Sequence, residues 1–232
     1  MRMRIRFAKE GKVRFVGHRD VARIWERGLR RVGLPVAYSQ GFSPRPRLHF
    51  GLALPTGYES TAEYLDVDLE PVDPQVDPES LAEPLTAALP VGMTVLAASE
   101  LAPGSESLQQ AVTSCTWRIV VGGTQADVEA AVTRVWSSPE VWLRRQRKGR
   151  ETTDDVRPSI VDLRVEEPGT HEAELEAELR TQPRGLRPSE LIAVLGDRVE
   201  ERRVRRTHQW IQHDGERRDV LRRESPDVRA GL

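Results

Sequence analysis

Two kinds of segment follow one another in a similar order twice along the chain: segments in which apolar and polar residues alternate, typical of strands, and amphipathic segments, typical of helices. This order limits the folds that the chain can adopt. Apolar residues alternate with arginine over residues 1–7, which is typical of a strand with one buried face. Residues 21–32 then carry apolar side chains at helical spacing, followed by the stop signals Gly33 and Pro35. The remaining segments of this half are predicted strands at 48–54, 64–69 and 93–98 and a predicted helix at 79–89.

The second half predicts a similar order with one additional strand. Its segments are predicted strands at 116–121, 141–148, 159–166, 173–181 and 204–212 and predicted helices at 127–136 and 188–195. Both halves fit the ferredoxin-like pattern, in which an antiparallel sheet carries two helices on one face. We therefore predict an α+β protein with two tandem ferredoxin-like halves, residues 1–101 and 115–212, and a disordered charged tail at 213–232.

Charge is sorted along the chain. Residues 1–50 carry 13 Lys and Arg against 3 acids, whereas residues 51–115 carry 11 acids and neither Lys nor Arg. Such a basic segment favours an anionic partner, above all nucleic acid. The alternative is that the basic and acidic segments neutralise each other inside the fold, and the sequence leaves both interpretations open.

Several classes of function find no support in the sequence. Cys115 is the only cysteine, so an internal disulfide and a cysteine cluster for zinc or iron–sulfur are excluded. The chain carries neither a phosphate-binding P-loop nor a dinucleotide fingerprint, so we predict no cofactor. No apolar run is long enough for a membrane span, and the first seven residues, MRMRIRF, do not have the pattern of a signal peptide. We therefore expect a cytoplasmic protein without a membrane partner.

The basic helix follows the segment Gly17-His18-Arg19-Asp20. Asp20 is expected to cap this helix, whose N-terminus would attract an anion. His18 is a candidate for a phosphate contact or for general acid–base chemistry, with a structural hydrogen bond as the alternative. Arginines at 23, 27, 30 and 31 are expected on the face opposite the apolar one.

Residues 38–50 mix arginine, aromatic and short polar side chains within a loop that Pro44 and Pro46 stiffen. Single-stranded RNA is recognised by such a mixture, because aromatics stack on bases while arginine pairs with phosphate. For Phe42 and Phe50 we expect burial against the sheet instead.

Two arginine-rich stretches mark the second half. Residues 144–150 and 155–158 frame a predicted hairpin, whose basic tip is either a nucleic-acid contact or an ordinary solvated loop. Arg202, Arg203, Arg205 and Arg206 lie on the last predicted strand, and its alternation places at least one pair outside the core.

The run from His18 to Leu69, HRDVARIWERGLRRVGLPVAYSQGFSPRPRLHFGLALPTGYESTAEYLDVDL, resembles the bacterial radical-SAM-linked protein family. The later segments 155–158, 185–188 and 204–207 also resemble this family, so the similarity extends over about residues 1–212. The resemblance implies a stand-alone form of a domain that relatives carry fused behind a radical SAM enzyme, and therefore a separate radical SAM partner. This chain lacks the CxxxCxxC motif that binds the radical SAM cluster, and Gly17 stands where members often have Ser or Thr.

The leading hypothesis is a non-catalytic accessory protein that binds tRNA or rRNA and presents it to a modification enzyme, with a radical SAM protein as the possible partner. The residues predicted to contact RNA are His18, Arg19, Arg23, Arg27, Arg30, Tyr38, Gln40, Arg45, Arg47 and Arg157. Two alternatives remain open at this point. One is a metal-independent RNA endonuclease that uses His18 as its acid or base, and the other is a protein-interaction module whose acidic residues 59–83 dock a basic partner.

Overall fold

One continuous sheet organises the chain, as the computed structural model shows. The structure describes residues 1–71, 76–147, 149–166, 173–213 and 215–221. Its strands are β1 (Arg2–Lys9), β2 (Leu48–Phe50), β3 (Glu59–Asp68), β4 (Met93–Glu100), β5 (Val112–Gly122), β6 (Trp142–Arg147), β7 (Arg150–Asp155), β8 (Ile160–Val165), β9 (Ala173–Arg180), β10 (Glu200–His213) and β11 (Glu216–Asp219). The α+β class predicted from the sequence is confirmed.

The described residues form five α-helices, which are α1 (His18–Arg31), α2 (Ala82–Ala88), α3 (Leu108–Ala111), α4 (Gln125–Ser137) and α5 (Pro188–Leu195). Four of the five helices lie at the predicted places, and the short α3 has no counterpart among the predicted helices. Among the described residues, no helix is long and apolar enough to cross a membrane.

Within the described residues, nine strands form one largely antiparallel sheet. The first half contributes the order β4–β1–β3, with the short β2 on the other side of β3, and the second half contributes β10–β5–β9–β8. β11 pairs with β10, and β6 and β7 form a separate hairpin. This hairpin accounts for the additional strand that the sequence predicts in the second half.

The two halves join where β3 and β10 run parallel, with Arg205 opposite Glu59 and Arg206 opposite Ser60. Side chains strengthen this junction, since Arg205 pairs with Glu59 at 3.1 Å and Arg206 pairs with Glu63 at 2.6 Å. Each half also has its own apolar core, one around Trp25 and Leu65 and the other around the strands of the second half.

Helix α1 shows how the sequence sets this packing. Its apolar face is buried through Val21, Trp25 and Leu29, and the Trp25 ring lies edge-on to Phe7 at 4.9 Å between centroids. The helix ends at Arg31, and Gly33 then adopts a left-handed φ of 71° as the chain turns away. The predicted amphipathic helix is therefore confirmed.

Three local predictions are wrong. The alternation of Val13 and Phe15 with Lys12 and Arg14 predicts that the strand continues or returns as a hairpin, whereas residues 11–15 form a 3-10 turn. Asp20 lies in the first turn of α1, whereas Gly17 occupies the N-cap position without a side-chain cap. The sequence predicts that the strands at 141–148 and 159–166 are joined by the polar stretch Gly149–Pro158. This stretch instead contains β7, which pairs with β6, because the polar side chains of a two-stranded hairpin need little burial.

The predicted disordered tail is also partly wrong. Residues 216–219 form β11, and Trp210 of β10 lies opposite Asp219. Residues 222–232 of the predicted tail lie outside the described residues, as do residues 72–75 within the acidic segment.

Candidate functional site

Two of the three arginines of β1, Arg2 and Arg4, are held by carboxylates of β3, whereas Arg6 pairs with Asp219 of β11 at 3.4 Å. The antiparallel register places Arg2 opposite Asp68 and Arg4 opposite Asp66. Arg4 is buried and binds Asp66 through two hydrogen bonds of 2.7 and 2.8 Å, while Arg2 binds Asp68 at 2.5 Å. This part of the basic segment is neutralised inside the fold.

Carboxylates of residues 59–68 are correspondingly inaccessible to a partner. Glu59, Glu63, Asp66 and Asp68 are all buried. Burial by itself would raise the pKa of Asp68, but the guanidinium groups of Arg2 and Arg47 hold it below its ordinary value. The predicted acidic docking face is therefore wrong for these four carboxylates, because arginines of β1 and β10 pair with them within the sheet.

The arginines of α1 are arranged differently. Arg19, Arg23, Arg27 and Arg30 are exposed and recur at spacings of four, four and three residues, so they occupy one face of the helix opposite Trp25. Among the described residues, Arg23 has an ion pair, at 3.1 Å to Asp20, whereas the other three have none. This face, which we call the α1 basic face, is thus free to meet an anionic partner.

The loop of residues 38–46 projects beyond the sheet near the C-terminal end of α1. A bridge between Tyr38 and Pro46 closes its base, and hydrogen bonds join Ser39 to Arg45 across it. Phe42 at its tip is fully exposed, at 111% of the reference area, and Arg45 is also exposed. The expected burial of Phe42 is therefore wrong, since the closed base of the loop keeps the tip away from the sheet.

Phe42 is the residue that the sequence reasoning missed. A phenylalanine is more often buried than exposed in folded proteins, so its residue type alone predicts burial. The sequence feature that indicates its exposure is its position between Gly41 and Ser43-Pro44. These residues favour a turn, and a turn leaves the loop tip without a neighbouring strand. We call residues 38–46 the aromatic loop.

The base of the aromatic loop borders a cleft of about 560 Å³ lined by Tyr38, Gln40 and Arg47. The Arg47 guanidinium already pairs with Asp68 at 3.0 Å, and Asp68 also lies 3.5 Å from His49. Tyr38 and Gln40 are exposed. The structure therefore brings these three predicted residues together, but Arg47 is partly neutralised and Arg45 is the more available cation.

His18 is the first residue of α1, and its exposed ring lies edge-on to Phe50 at 5.1 Å between centroids. It borders a groove of about 400 Å³ with Arg2, His49 and Asp66, which adjoins the cleft at Arg2. Phe50 is half-buried rather than buried. Within the described residues, the contact of the His18 ring is the aromatic one with Phe50, and no carboxylate hydrogen bond to its imidazole occurs there.

Arg157 lies in the second half, and its side chain makes contacts within the fold. Its guanidinium donates hydrogen bonds to the carbonyl oxygens of Ile160 and Trp136, and it stacks over the Trp136 ring at 4.5 Å from the centroid. Two arginines of β6 are also engaged, since Arg144 pairs with Glu151 and Arg145 pairs with Glu190. The contacts of Arg157 join α4 to β8, and its nucleic-acid contact stays a prediction.

No group of three or more His, Cys, Asp or Glu side chains suited to a metal ion occurs in the described part of the chain. The Cys115 thiol is buried, and this burial raises its pKa to about 11, so it stays protonated at neutral pH.

Residues 2–188 match the model of the family described as "Uncharacterized protein conserved in bacteria (DUF2344)". The chain belongs to this family. No functionally curated protein matches the sequence.

Two solved structures resemble the DUF2344 chain in shape. One is a Cbf5–Nop10–Gar1 complex, with 12% identity and a TM-score of 0.47 over 89% of this chain and 48% of the other. The second is an archaeal box H/ACA sRNP Nop10–Cbf5 complex, with 10% identity and a TM-score of 0.45 over 89% of this chain and 47% of the other. The chain spans about half the length of these neighbours, and no function is transferred from similarity at this level.

Proposed function

We propose that this DUF2344 protein binds unpaired segments of tRNA or rRNA through the α1 basic face and the aromatic loop. The observation that carries the proposal is the fully exposed Phe42, in a loop that also presents Arg45. A solvent-facing phenylalanine has no structural role in the described fold, and stacking on a base would bury its ring.

The α1 basic face supplies the second part of the proposed interface. Arg19, Arg27 and Arg30 have no ion pair within the described residues, in contrast to the arginines of β1. Guanidinium groups bind phosphate oxygens in a bidentate way, and binding releases counterions from the RNA. The chain leads from the end of α1 at Arg31 through Pro35 into the aromatic loop, so only residues 32–37 separate the C-terminal end of the α1 basic face from this loop.

The proposed role is that of an accessory protein that holds RNA for a modification enzyme. The resemblance to radical-SAM-linked proteins supports a radical SAM protein as the partner, since relatives carry both parts in one chain. In this scheme the partner performs the chemistry, and the DUF2344 chain supplies RNA affinity and orientation.

We further propose that residues 1–101 and 115–212 are two ferredoxin-like units. The strand orders β4–β1–β3–β2 and β10–β5–β9–β8 support this assignment, since each half then follows the order of strands that the βαββαβ pattern gives.

The test is crosslinking of the protein to RNA in its native cell, followed by sequencing of the bound RNA. We expect enrichment of particular tRNA or rRNA segments, and loss of that enrichment when Phe42 and Arg45 are both replaced by Ala. The matched control replaces Phe15 and Arg164, which are also exposed but lie outside the proposed interface. Enrichment that is absent, or that survives the Phe42 and Arg45 replacements unchanged, would contradict the proposal.

A further inference from the structure

A second cleft lies where the two halves of the sheet meet. Its volume is about 580 Å³, which is in the range of small-ligand sites. One wall comes from the segment after β2, through Leu52 and Pro55, and the other from residues 179–188. Cys115, Trp117 and Arg206 lie at the junction between these walls.

Arg206 is the unusual residue of this junction cleft. It is 1% exposed, yet it lines the cleft beside Trp117, with the guanidinium carbon 5.4 Å from the ring centroid. One of its terminal nitrogens donates to Glu63 at 2.6 Å and to the carbonyl oxygen of Leu52 at 2.8 Å. Its Nε is buried without a hydrogen-bond partner among the described residues. A buried donor left unpaired is costly, and a ligand in the cleft would offer it an acceptor.

The junction cleft is also rich in positive charge. Its lining includes five arginines, at positions 145, 180, 184, 187 and 206. Three carboxylates, Glu190, Asp154 and Glu63, pair with members of this set. Five guanidinium groups against three carboxylates leave a formal surplus of two positive charges. Such a surplus matches the charge of a phosphate monoester.

Two of these arginines are available at the mouth of the cleft. Arg187 is exposed, and no ion pair holds its side chain within the described residues. Arg180 is also exposed and donates its Nε to the carbonyl oxygen of Pro158, which leaves its two terminal nitrogens for a ligand. Both are suited to a bidentate contact with phosphate.

Part of the lining is apolar. It includes Trp117, Leu179, Leu186 and the pyrrolidine rings of Pro55, Pro183 and Pro188, which lie beside the polar side chains of Gln146, Thr181 and Glu190. Rings of this kind favour a planar ligand body, because two flat surfaces exclude water from a large shared area. The charge and the apolar lining together describe a ligand with a planar ring system and a phosphate.

We propose that the junction cleft binds a phosphate ester of the size of a nucleoside monophosphate, with its phosphate at Arg180 and Arg187 and its ring beside Trp117. Such a ligand has two sources, a free mononucleotide or an unpaired nucleotide of bound RNA. The second source rests on the proposed function, whereas the first does not.

The first arm of the test titrates the full chain with AMP and UMP by calorimetry, against adenosine, uridine and inorganic phosphate. We expect a monophosphate to bind at least tenfold more tightly than its nucleoside or inorganic phosphate, because both parts of the ligand are recognised. Replacing Arg180 and Arg187 together by Ala should weaken this binding at least tenfold, whereas Arg164→Ala should leave it unchanged. Absence of monophosphate binding, or binding that the Arg180 and Arg187 replacements leave unchanged, would overturn the proposal.

The second arm adds an unpaired RNA oligonucleotide to separate the two sources. If RNA supplies the ligand, the oligonucleotide displaces the monophosphate and loses affinity when Arg180 and Arg187 are replaced. If a free nucleotide is the ligand, the monophosphate and the oligonucleotide bind together. Replacing Arg27 and Arg30 by Ala separates the two proposals. The proposed RNA interface predicts that this variant loses RNA binding, whereas the proposed phosphate-ester site predicts that it still binds the monophosphate.

Discussion

The arginines of β1 and those of α1 come from the same basic segment, yet the fold uses them in opposite ways. Arg2 and Arg4 lie on the sheet and pair with Asp68 and Asp66, whereas Arg27 and Arg30 face solvent. The difference arises from periodicity, since a strand sends alternate side chains to one face and that face of β1 meets the acidic face of β3. Charge along a sequence therefore predicts a ligand surface only after the pairing of strands has been taken into account.

The segregated charge is thus divided between two sets of residues. Arg2 and Arg4 and the carboxylates of β3 neutralise each other, whereas the α1 arginines face solvent, and their contact with an anionic partner is part of the proposal. The experiments below separate these two sets, from the largest expected effect to the smallest.

Replacing Arg4 by Ala should give the largest change, a loss of about 3–5 kcal/mol in the free energy of unfolding. The reason is that Asp66 would remain buried without its partner. Urea unfolding followed by circular dichroism measures the loss. The double replacement of Arg4 by Met and Asp66 by Leu should recover most of it, and a cost of less than about 1 kcal/mol for Arg4→Ala would show that the pair is not buried.

Replacing Arg23, Arg27 and Arg30 together by Ala should have the complementary effect. Each surface replacement should change the free energy of unfolding by no more than about 0.5 kcal/mol, because none of the three is buried. RNA affinity should fall about tenfold or more, and the slope of log affinity against log salt should fall by about 2, or roughly 0.7 for each phosphate contact.

The matched control for this triple variant is replacement of Arg164 and Arg198, exposed arginines of the second half that pair with acids. An unchanged salt dependence in the triple variant, or an equal loss in the control, would locate the RNA contacts elsewhere.

Phe42→Ala should weaken RNA binding by about 1 kcal/mol, through loss of stacking on one base. Stability should not change, because the ring is fully exposed. Fluorescence anisotropy with an unpaired oligonucleotide measures the affinity. Phe15→Ala removes another exposed phenylalanine and should leave the affinity unchanged, so an equal effect of both would argue against the aromatic loop.

The smallest effect concerns pH. The pKa of Asp68 is lowered in the folded state from its ordinary value of 3.8, so the unfolded chain binds more protons in acid. Its contribution to stability is therefore present above the ordinary value and is lost as the pH falls through the lowered one. Urea unfolding at pH 6 and at pH 3 should show a smaller acid-induced loss for Asp68→Asn than for the unchanged chain, and identical losses would contradict this assignment.

The sequence predicted the helices and strands of the fold better than the contacts between residues that are distant in sequence. The apolar spacing of α1 predicted both its burial at Trp25 and its exposed arginines, because a helix face depends on local periodicity alone. The pairing of Arg4 with Asp66 depends on the register between strands about sixty residues apart, which no local pattern encodes. The sequence therefore left internal neutralisation open without assigning it to particular residues.

The candidate sites show the same limit. His18, Tyr38 and Arg45 were identified from their residue types, and the structure places them in the first half at accessible positions. The exposure of Phe42 and the junction cleft around Arg206 follow from tertiary structure, since one depends on a closed loop base and the other on the contact between halves. Neither feature has a sequence period that could reveal it.

The most direct test is photocrosslinking of the purified protein to an unpaired RNA oligonucleotide, with the crosslinked peptides identified by mass spectrometry. The account predicts crosslinked nucleotides on peptides from residues 18–31 and 38–47, with Phe42 among the modified residues and no crosslinks on β1. Crosslinks confined to the second half, or none above the background of a protein without RNA affinity, would contradict the division between the β1 and the α1 arginines.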